Sequence, residues 1–435
     1  MQTTFTLAQL ADPDIAEADR ILRACVHCGF CTATCPTYVL LGDELDSPRG
    51  RIYLIKDMLE HERPATEEVV THIDRCLSCL ACMTTCPSGV HYMHLVDHAR
   101  AHIERSYRRP LLDRMLREFL ANVMPYPRRL RLAMMAAWIA RPFAPLLSAI
   151  RLKPLAAAAR LAPRQAPGPF TLAGVHRAEG ARRGRVAVLA GCANEALAPQ
   201  ITQATIRVLN RHGVEAVIVP GVDCCGSLDH HMGREHAALG RVRAAVDAWT
   251  AEIEGEGLDA ILVTLSGCGT TVKDYGFMLR NDPAYADKAA SVSGLARDVS
   301  EYLVTLGLAP RGRRPSLTVA FHSACSAQHG QRVHRQPRDL LATCGFAVKD
   351  IAEAHLCCGS AGIYNILQPD IARRLVARKV ANIEKTAPDA IAAGNIGCIA
   401  QIASATAIPV LHPVELIDWA TGGPVPELLK HRIGA

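Results

Sequence analysis

The sequence predicts an α+β multidomain chain: a helical N-terminal domain carrying two dense cysteine runs, then two homologous α/β lobes. Three observations predict it. Four cysteines fall within "CVHCGFCTATCP" at 25 to 36, and the pattern returns as "CLSCLACMTTCP" at 76 to 87. Beyond residue 185 the texture becomes strand–helix–strand and repeats with matching cysteine spacings. The length of 435 residues exceeds what one core organises, and 49% hydrophobic residues with a mean hydropathy of +0.11 supply several cores.

The first predicted domain is 1–104. Residues 1–24 read as a lead-in with one helix. The spacer between the runs reads helical: Ser47 caps a helix with Pro48 at its first position, and "RIYLIKDMLE" continues with apolar residues at helical spacing. Thr66 caps a second helix, with Glu67 and Glu68 in its electropositive first turn. One long helix is expected from about 92 to 121.

The second segment, 105–184, is a basic amphipathic arm, with a linker expected at "APRQAPGPF", 162 to 170. From 101 to 165 there are thirteen Arg or Lys against three acids, a local surplus larger than the whole-chain net charge of +6. The two lobes are 185–310 and 315–425. In the first, "RVAVLAGC" reaches Cys192, "VEAVIVP" leads to Cys224 and Cys225 before a glycine, and "DAILVTLSGC" reaches Cys268. In the second, "SLTVAFHSAC" reaches Cys325, "FAVKDI" leads to Cys357 and Cys358, and "DAIAAGNIGC" reaches Cys398. Cys192 to Cys224 and Cys325 to Cys357 are both steps of 32 residues.

The run C-x2-C-x2-C-x3-C-P is the bacterial ferredoxin spacing, in which the first three thiolates bind one [4Fe–4S] cluster and the fourth binds the other. Two clusters are therefore expected. One takes Cys25, Cys28, Cys31 and Cys86; the other takes Cys76, Cys79, Cys82 and Cys35. Zinc knuckles would use two CxxC pairs, not triplets closed by Cys-Pro. Such a pair of clusters passes single electrons.

The lobe cysteines, Cys192, Cys224, Cys225, Cys268, Cys325, Cys357, Cys358 and Cys398, are candidates for an additional metal or redox site. Adjacent thiols before a glycine do not readily form a relaxed disulfide with each other, yet they bring two sulfurs to one strand end. Buried small hydrophobes are the alternative. Cys344 has no counterpart in the first lobe and reads as core. His322, three residues before Cys325, is near enough to touch that site, but the favoured reading is a histidine that satisfies a backbone carbonyl.

Several classes are excluded. No GxGxxG follows a strand, and no GxxxxGK[ST], HExxH or GxSxG occurs, so a hydride cofactor of its own and a nucleotide-driven pump are not expected, and the electron source is another polypeptide. The arginines are not interleaved with stacking aromatics, so no nucleic acid is expected. The first twenty residues carry Asp12, Asp14, Glu17 and Asp19 with no apolar run, unlike a secretory leader, and the cysteines have metal spacings. A cytoplasmic location is expected. "AMMAAWIA" at 133 to 140 reads as far too short to span a bilayer. The basic segment instead suits peripheral attachment to the inner face of an anionic membrane, with Met134, Met135, Trp138 and Ile139 in the interface. A solvated arm or a surface for an acidic partner is the other reading.

Together, "RACVHCGFCTATCPTYVLLGDELDSPRGRIYLIKDMLE", "RCLSCLACMTTCPSGV" and "HLCCGSAGIYNILQP" resemble the iron–sulfur subunits that accompany flavin 2-hydroxy-acid dehydrogenases, glycolate oxidase (glycolate dehydrogenase) among them. The resemblance extends over nearly the whole chain. It implies a partner FAD subunit that oxidises glycolate to glyoxylate, with electrons leaving this chain to a quinone or other membrane acceptor. D-lactate and glycerol-3-phosphate are the alternative substrates of the partner, and a thiol/disulfide redox enzyme using the Cys-Cys-Gly sites is the alternative activity. The chain also resembles heterodisulfide reductase subunits, whose Cys-Cys-Gly motifs end in CxxC. Here Leu265 and Asn395 stand where that extra thiol would be, so disulfide reduction of that kind is not expected.

Overall fold

The computed structural model describes residues 1–149, 152–162, 167–308, 310 and 317–433. Most of the join between the lobes, part of the expected 162–170 linker, and Arg151 and Arg164 of the basic arm lie outside the described residues.

The N-terminal region is helical around two loops. Its lead-in is two helices, Leu7–Leu10 and Pro13–Ala24, rather than one, because Asp12 caps the second by accepting from the Asp14 and Ile15 backbone N–H groups. Ser47 caps Pro48–Glu60 through the Gly50 N–H, and Thr66 caps Glu67–Asp74 through the Val69 N–H. The long helix expected after the second run is divided into Tyr92–Ser106 and Leu111–Val123. Pro110 causes the break: it has no N–H to continue the ladder, and its ring pushes Arg109 out of helical geometry. Ile21, Leu22, Ile55, Leu59, Ile73 and Leu95 meet in one core. Each such burial is worth roughly 1.5–3 kcal/mol relative to exposure.

The first lobe is a five-stranded sheet. Its strands are β1 (Gly174–His176), β2 (Gly184–Leu189), β3 (Val214–Ile218), β4 (Ala260–Val263) and β5 (Ala296–Asp298), in spatial order β1-β3-β2-β4-β5. All neighbours are parallel except β1, which pairs antiparallel with β3. This edge strand comes from the segment that the sequence assigns to the arm. The second lobe has β6 (Thr318–His322), β7 (Ala347–Asp350), β8 (Ala390–Ala393) and β9 (Val410–Leu411), all parallel, in order β7-β6-β8-β9. The central order β3-β2-β4 is repeated as β7-β6-β8, the structural counterpart of the repeat in sequence. In both lobes every cysteine of the repeat lies beyond the C-terminal end of a strand, where open α/β sheets gather ligands.

The lobes share a core. Val186, Leu262, Val319, Leu341 and Leu416 belong to one apolar cluster, with fully buried Cys344 inside it. Arg207 and Arg211 of the first lobe clasp the buried Asp418 of the second. His412 donates from Nε2 to the Thr264 carbonyl at 2.8 Å and accepts at Nδ1 from the Val414 N–H, which fixes a neutral tautomer.

The N-terminal domain sits on both lobes. Gly233 adopts φ +79°, and a Cβ there would lie 2.3 Å from the Arg100 carbonyl, so the close approach requires glycine. The buried Asp97 meets His230 and His231 of the first lobe. Thr84 hydrogen-bonds His329 of the second at 2.7 Å. The arm packs on the lobes: Leu120 and Ala121 meet Met232, Ile363 and Ile366, and Ala156 and Ala159 are buried.

Candidate metal centres

Cys25 caps the C-terminus of Pro13–Ala24, and Cys35 is the N-cap of Pro36–Leu41 with Pro36 at the first helical position. Between them the chain turns through left-handed residues. His27 and Gly29 have φ of +55° and +82°; in the second run the equivalent Ser78 and Leu80 have +46° and +62°. A non-glycine residue there costs on the order of 1 kcal/mol, and such strain persists where the surroundings enforce it.

These loops enclose two neighbouring cavities. Cys25, Cys28, Cys31 and Cys86 line one of them, with Pro48, Ile52, Val90 and Tyr92 in its wall. Cys35, Cys76, Cys79 and Cys82 line the other, with Pro36, Leu77 and Leu80. Cys82 and Tyr92 border both. Each cavity thus receives three thiols of one run and the last thiol of the other. No carboxylate lines either; His27 and Arg49 also border the first and Arg51 the second, and a donor set dominated by thiols fits an iron–sulfur cluster. Burial pushes the Cys79 and Cys82 thiols well above the ordinary value and Cys31 to about 11. As free thiols they hold their protons, which iron displaces on binding.

The two cavities differ in surroundings. Cys28 is exposed, beside exposed Val26 and Phe30. The second cavity faces inward and has a charged neighbour that sequence reasoning missed. Arg51, 1% exposed, places Nη1 3.8 Å from Cys35 Sγ and donates to the His72 carbonyl, Thr37 Oγ1 and Asp46 Oδ1. Desolvation opposes its charge, but Cys76, Tyr92, Cys35 and Asp46 outweigh it and raise its pKa. Fully buried Asp46 also accepts from Arg75 at 2.8 Å and meets His72. Tyr92 Oη lies 3.8 Å from Cys76 Sγ. The signal in sequence was an arginine on the apolar face of Pro48–Glu60.

The lobe thiols also converge. Gly226 and Gly359 take φ of +81° and +87°, and their N–H groups donate to Cys224 Sγ at 3.5 Å and Cys357 Sγ at 3.4 Å. Glycine's left-handed freedom turns the chain so that the preceding sulfur meets this N–H. In the first lobe the Cys192 and Cys225 thiols, with Gly226, hold Cys224 down to about 3. In the second, Cys325 and Cys357 sulfurs are 3.8 Å apart, and Cys358 and Cys398 approach His322. His322 does not meet a backbone carbonyl: neither ring nitrogen has a hydrogen-bond partner among the described residues. Leu265 is core, and Asn395 caps helix Ile396–Ala403, so both positions of the absent thiols have structural occupants. Cys357 packs against Cys79 in one apolar cluster, so the second lobe abuts the inward cavity.

The arm presents an apolar outer face. Leu132, Met135, Trp138 and Ile139 are exposed, as are Leu111, Leu112, Met115 and Phe119, whereas Met134 is half-buried. The short run noted in the sequence belongs to a longer helical stretch, Pro127–Leu147, which by length and composition alone suffices to cross a membrane; only 11% of its apolar window is buried.

Comparison with known proteins matches the 4Fe-4S dicluster domain over residues 21–90 and the cysteine-rich domain over 186–273 and 319–403. The chain is 44% identical to the glycolate oxidase iron-sulfur subunit of Escherichia coli K12, over 97% of this chain and 99% of that one. It is 30% identical to the probable glycolate oxidase iron-sulfur subunit of Bacillus subtilis 168, over 88% of each. Lactate utilization protein A of Bacillus subtilis 168 is 22% identical over 54% of this chain and 99% of its own length. The crystal structure of a hypothetical protein from Helicobacter pylori shares the fold, with a TM-score of 0.50 at 10% identity, covering 97% of this chain and 74% of that one. The dicluster match spans both cysteine runs, so the chain carries 4Fe-4S clusters and has an electron-transfer role.

Proposed function

The chain belongs to the family of glycolate oxidase iron–sulfur subunits, and we propose that it is the electron-transfer subunit of a glycolate dehydrogenase, with no substrate site of its own. The observation that carries this reading is the pair of adjoining thiol-lined cavities, one opening to the surface at Cys28 and one facing inward. A bound 4Fe-4S cluster supplies one-electron uptake and release.

In this reading Cys25, Cys28, Cys31 and Cys86 hold one cluster, and Cys76, Cys79, Cys82 and Cys35 the other. Tyr92 fills the wall between the cavities and keeps water out. Arg51 is a fixed buried cation that favours added negative charge beside Cys35. Val26, Phe30 and Tyr53, the last in edge contact with His27, form an exposed apolar rim where a redox partner approaches Cys28.

The partner is a separate FAD subunit that oxidises glycolate to glyoxylate and passes the two electrons on singly. The final acceptor is a quinone or another membrane acceptor. The chain is cytoplasmic and rests on the inner face of the membrane through its arm. Two features support lying on the surface rather than spanning it. Leu130 is buried, and Arg131 donates to the Glu195 carbonyl, so the opposite face of the same helix is committed to the first lobe. Exposed Arg128 and Arg129 suit anionic headgroups.

The test is turnover by the complex purified with its flavin subunits. Glycolate should drive dye reduction, with D-lactate and glycerol-3-phosphate at least tenfold poorer in kcat/KM. Preference for either comparator would overturn the glycolate assignment and leave the electron-transfer role standing.

A further inference from the structure

We propose that the cavity between the arm helix Lys153–Leu161 and the second lobe binds the headgroup of an anionic phospholipid, one carrying a hydroxyl beyond its phosphate, as phosphatidylglycerol does. The inference rests on the reading that the arm lies on a membrane, and it names the lipid class taken there.

The cavity holds about 50 Å³. One water needs about 10–15 Å³ of such space, so a group of roughly phosphate size fits. Its walls are cationic. Lys153 and Arg160 border it from one face of the arm helix, and Arg373 borders it from helix Pro369–Glu384. Asp370 is the acid beside them; it pairs with Lys153 at 2.7 Å and with Arg373. Arg160 has no carboxylate partner among the described residues. Three cations thus meet one acid, and a phosphate takes up the surplus. Pro369 also borders the cavity and opens a 16-residue helix that no side chain caps, so the positive end of the helix dipole lies on the same side.

Asn365 selects among anions. It is 6% exposed and lines the cavity. Its Nδ2 donates to Gln401 Oε1 at 3.0 Å, while its Oδ1 has no hydrogen-bond partner among the described residues. A buried acceptor without a donor is costly. A phosphodiester has no donor of its own, so a headgroup hydroxyl must supply one.

The surface beside the cavity is apolar. Leu152 and Leu155 bracket Lys153 and are exposed, as are Phe143 and Leu146 of the preceding arm. Acyl chains have a path along these side chains, which a soluble phosphate does not use. A basic pocket next to an apolar face is the combination that holds anionic headgroups at a membrane.

The experiment floats the full complex, purified anaerobically with its flavin subunits, on phosphatidylcholine vesicles. These contain phosphatidylglycerol or an equal mole fraction of phosphatidylmethanol, which has the same charge and no headgroup hydroxyl. The expected result is a preference for phosphatidylglycerol of about fivefold or more. Asn365→Leu should erase the preference and keep binding to both vesicles. Arg160→Gln with Arg373→Gln should weaken binding to both about tenfold or more, while substrate-driven dye reduction stays at the wild-type rate. Equal flotation of the wild type with both lipids would overturn the headgroup site and leave membrane attachment standing. Flotation with neither would end the attachment reading and the proposal with it. Glycerol phosphate that binds as tightly as the phosphatidylglycerol vesicles, and is lost in the same variants, would assign the cavity to a soluble phosphate instead. The wild-type comparison needs no variant, so a variant that fails to fold does not shield the proposal.

Discussion

The guanidinium of Arg51 lies 3.8 Å from the sulfur of Cys35 with almost no access to water. A permanent cation so near a metal-binding thiolate stabilises the reduced state more than the oxidised one. It is held there by Asp46, which Arg75 and His72 also contact, so the charge network survives partial loss.

Arg51→Met should therefore lower the midpoint potential of the cluster beside it. The expected fall is on the order of 50–150 mV, the interaction of one charge about 5 Å away at an effective dielectric of about 20. Arg51→Lys should recover part of it. Redox titration followed by EPR reads the shift; an unchanged potential would remove Arg51 from this role.

The crossing of the two runs predicts a specific pattern of loss. Cys86→Ser should strip the site of Cys25, Cys28 and Cys31, although Cys86 belongs to the other run, and halve the iron. The surviving cluster should still respond to Arg51→Met. Cys35→Ser should remove the cluster that responds. The reverse pattern would mean that each run keeps its own fourth ligand.

Glu415 gives a pH dependence. Burial raises its carboxyl from 4.5 to about 7, against hydrogen bonds from the His412 N–H and Gln200 and the charge of Arg207, with Asp418 adding to the rise. The folded protein thus binds a proton more tightly than the unfolded chain. The associated stability is full below about 4.5 and is lost as pH rises to about 7, a change on the order of 1–3 kcal/mol. Glu415→Gln should abolish this slope and raise the apparent Tm at pH 8 relative to wild type. Anaerobic thermal unfolding at pH 5.5 to 8 checks it; parallel curves would contradict it.

Membrane attachment predicts that the outer face of the arm, not its charge alone, is required. Leu132 and Ile139 are both 67% exposed, so glutamate at either position should leave the lobes folded. Leu132→Glu with Ile139→Glu should reduce flotation with anionic liposomes by roughly tenfold or more, since each lost apolar burial is worth about 1.5–3 kcal/mol. Flotation unaffected by the pair, or absent in the wild type at low salt with clusters intact, would place the arm against a protein or solvent.

The lobes were legible because their repeat is set by local units: a strand, a helix and a strand of fixed length return Cys192–Cys224 and Cys325–Cys357 at the same step. The thiol runs were legible for the same reason, since left-handed turns at 27, 29, 78 and 80 are short-range geometry. Long-range packing was not. Nothing near Cys79 in sequence announces Cys357, and nothing near His322 says that its nitrogens would find no carbonyl. The helix across Pro110 was read as continuous because apolar periodicity outweighed the proline. The burial of Ala156 and Ala159 in the arm was not legible, because small residues leave little periodic signal.

The central claim is that glycolate electrons pass through this chain. Low-temperature EPR of the anaerobic complex, before and after glycolate, tests it most directly, with dithionite as the positive control. The account predicts reduced 4Fe-4S signals on adding glycolate and none with D-lactate or glycerol-3-phosphate. Clusters that dithionite reduces but glycolate leaves oxidised, while the flavin is reduced and turnover continues, would contradict it.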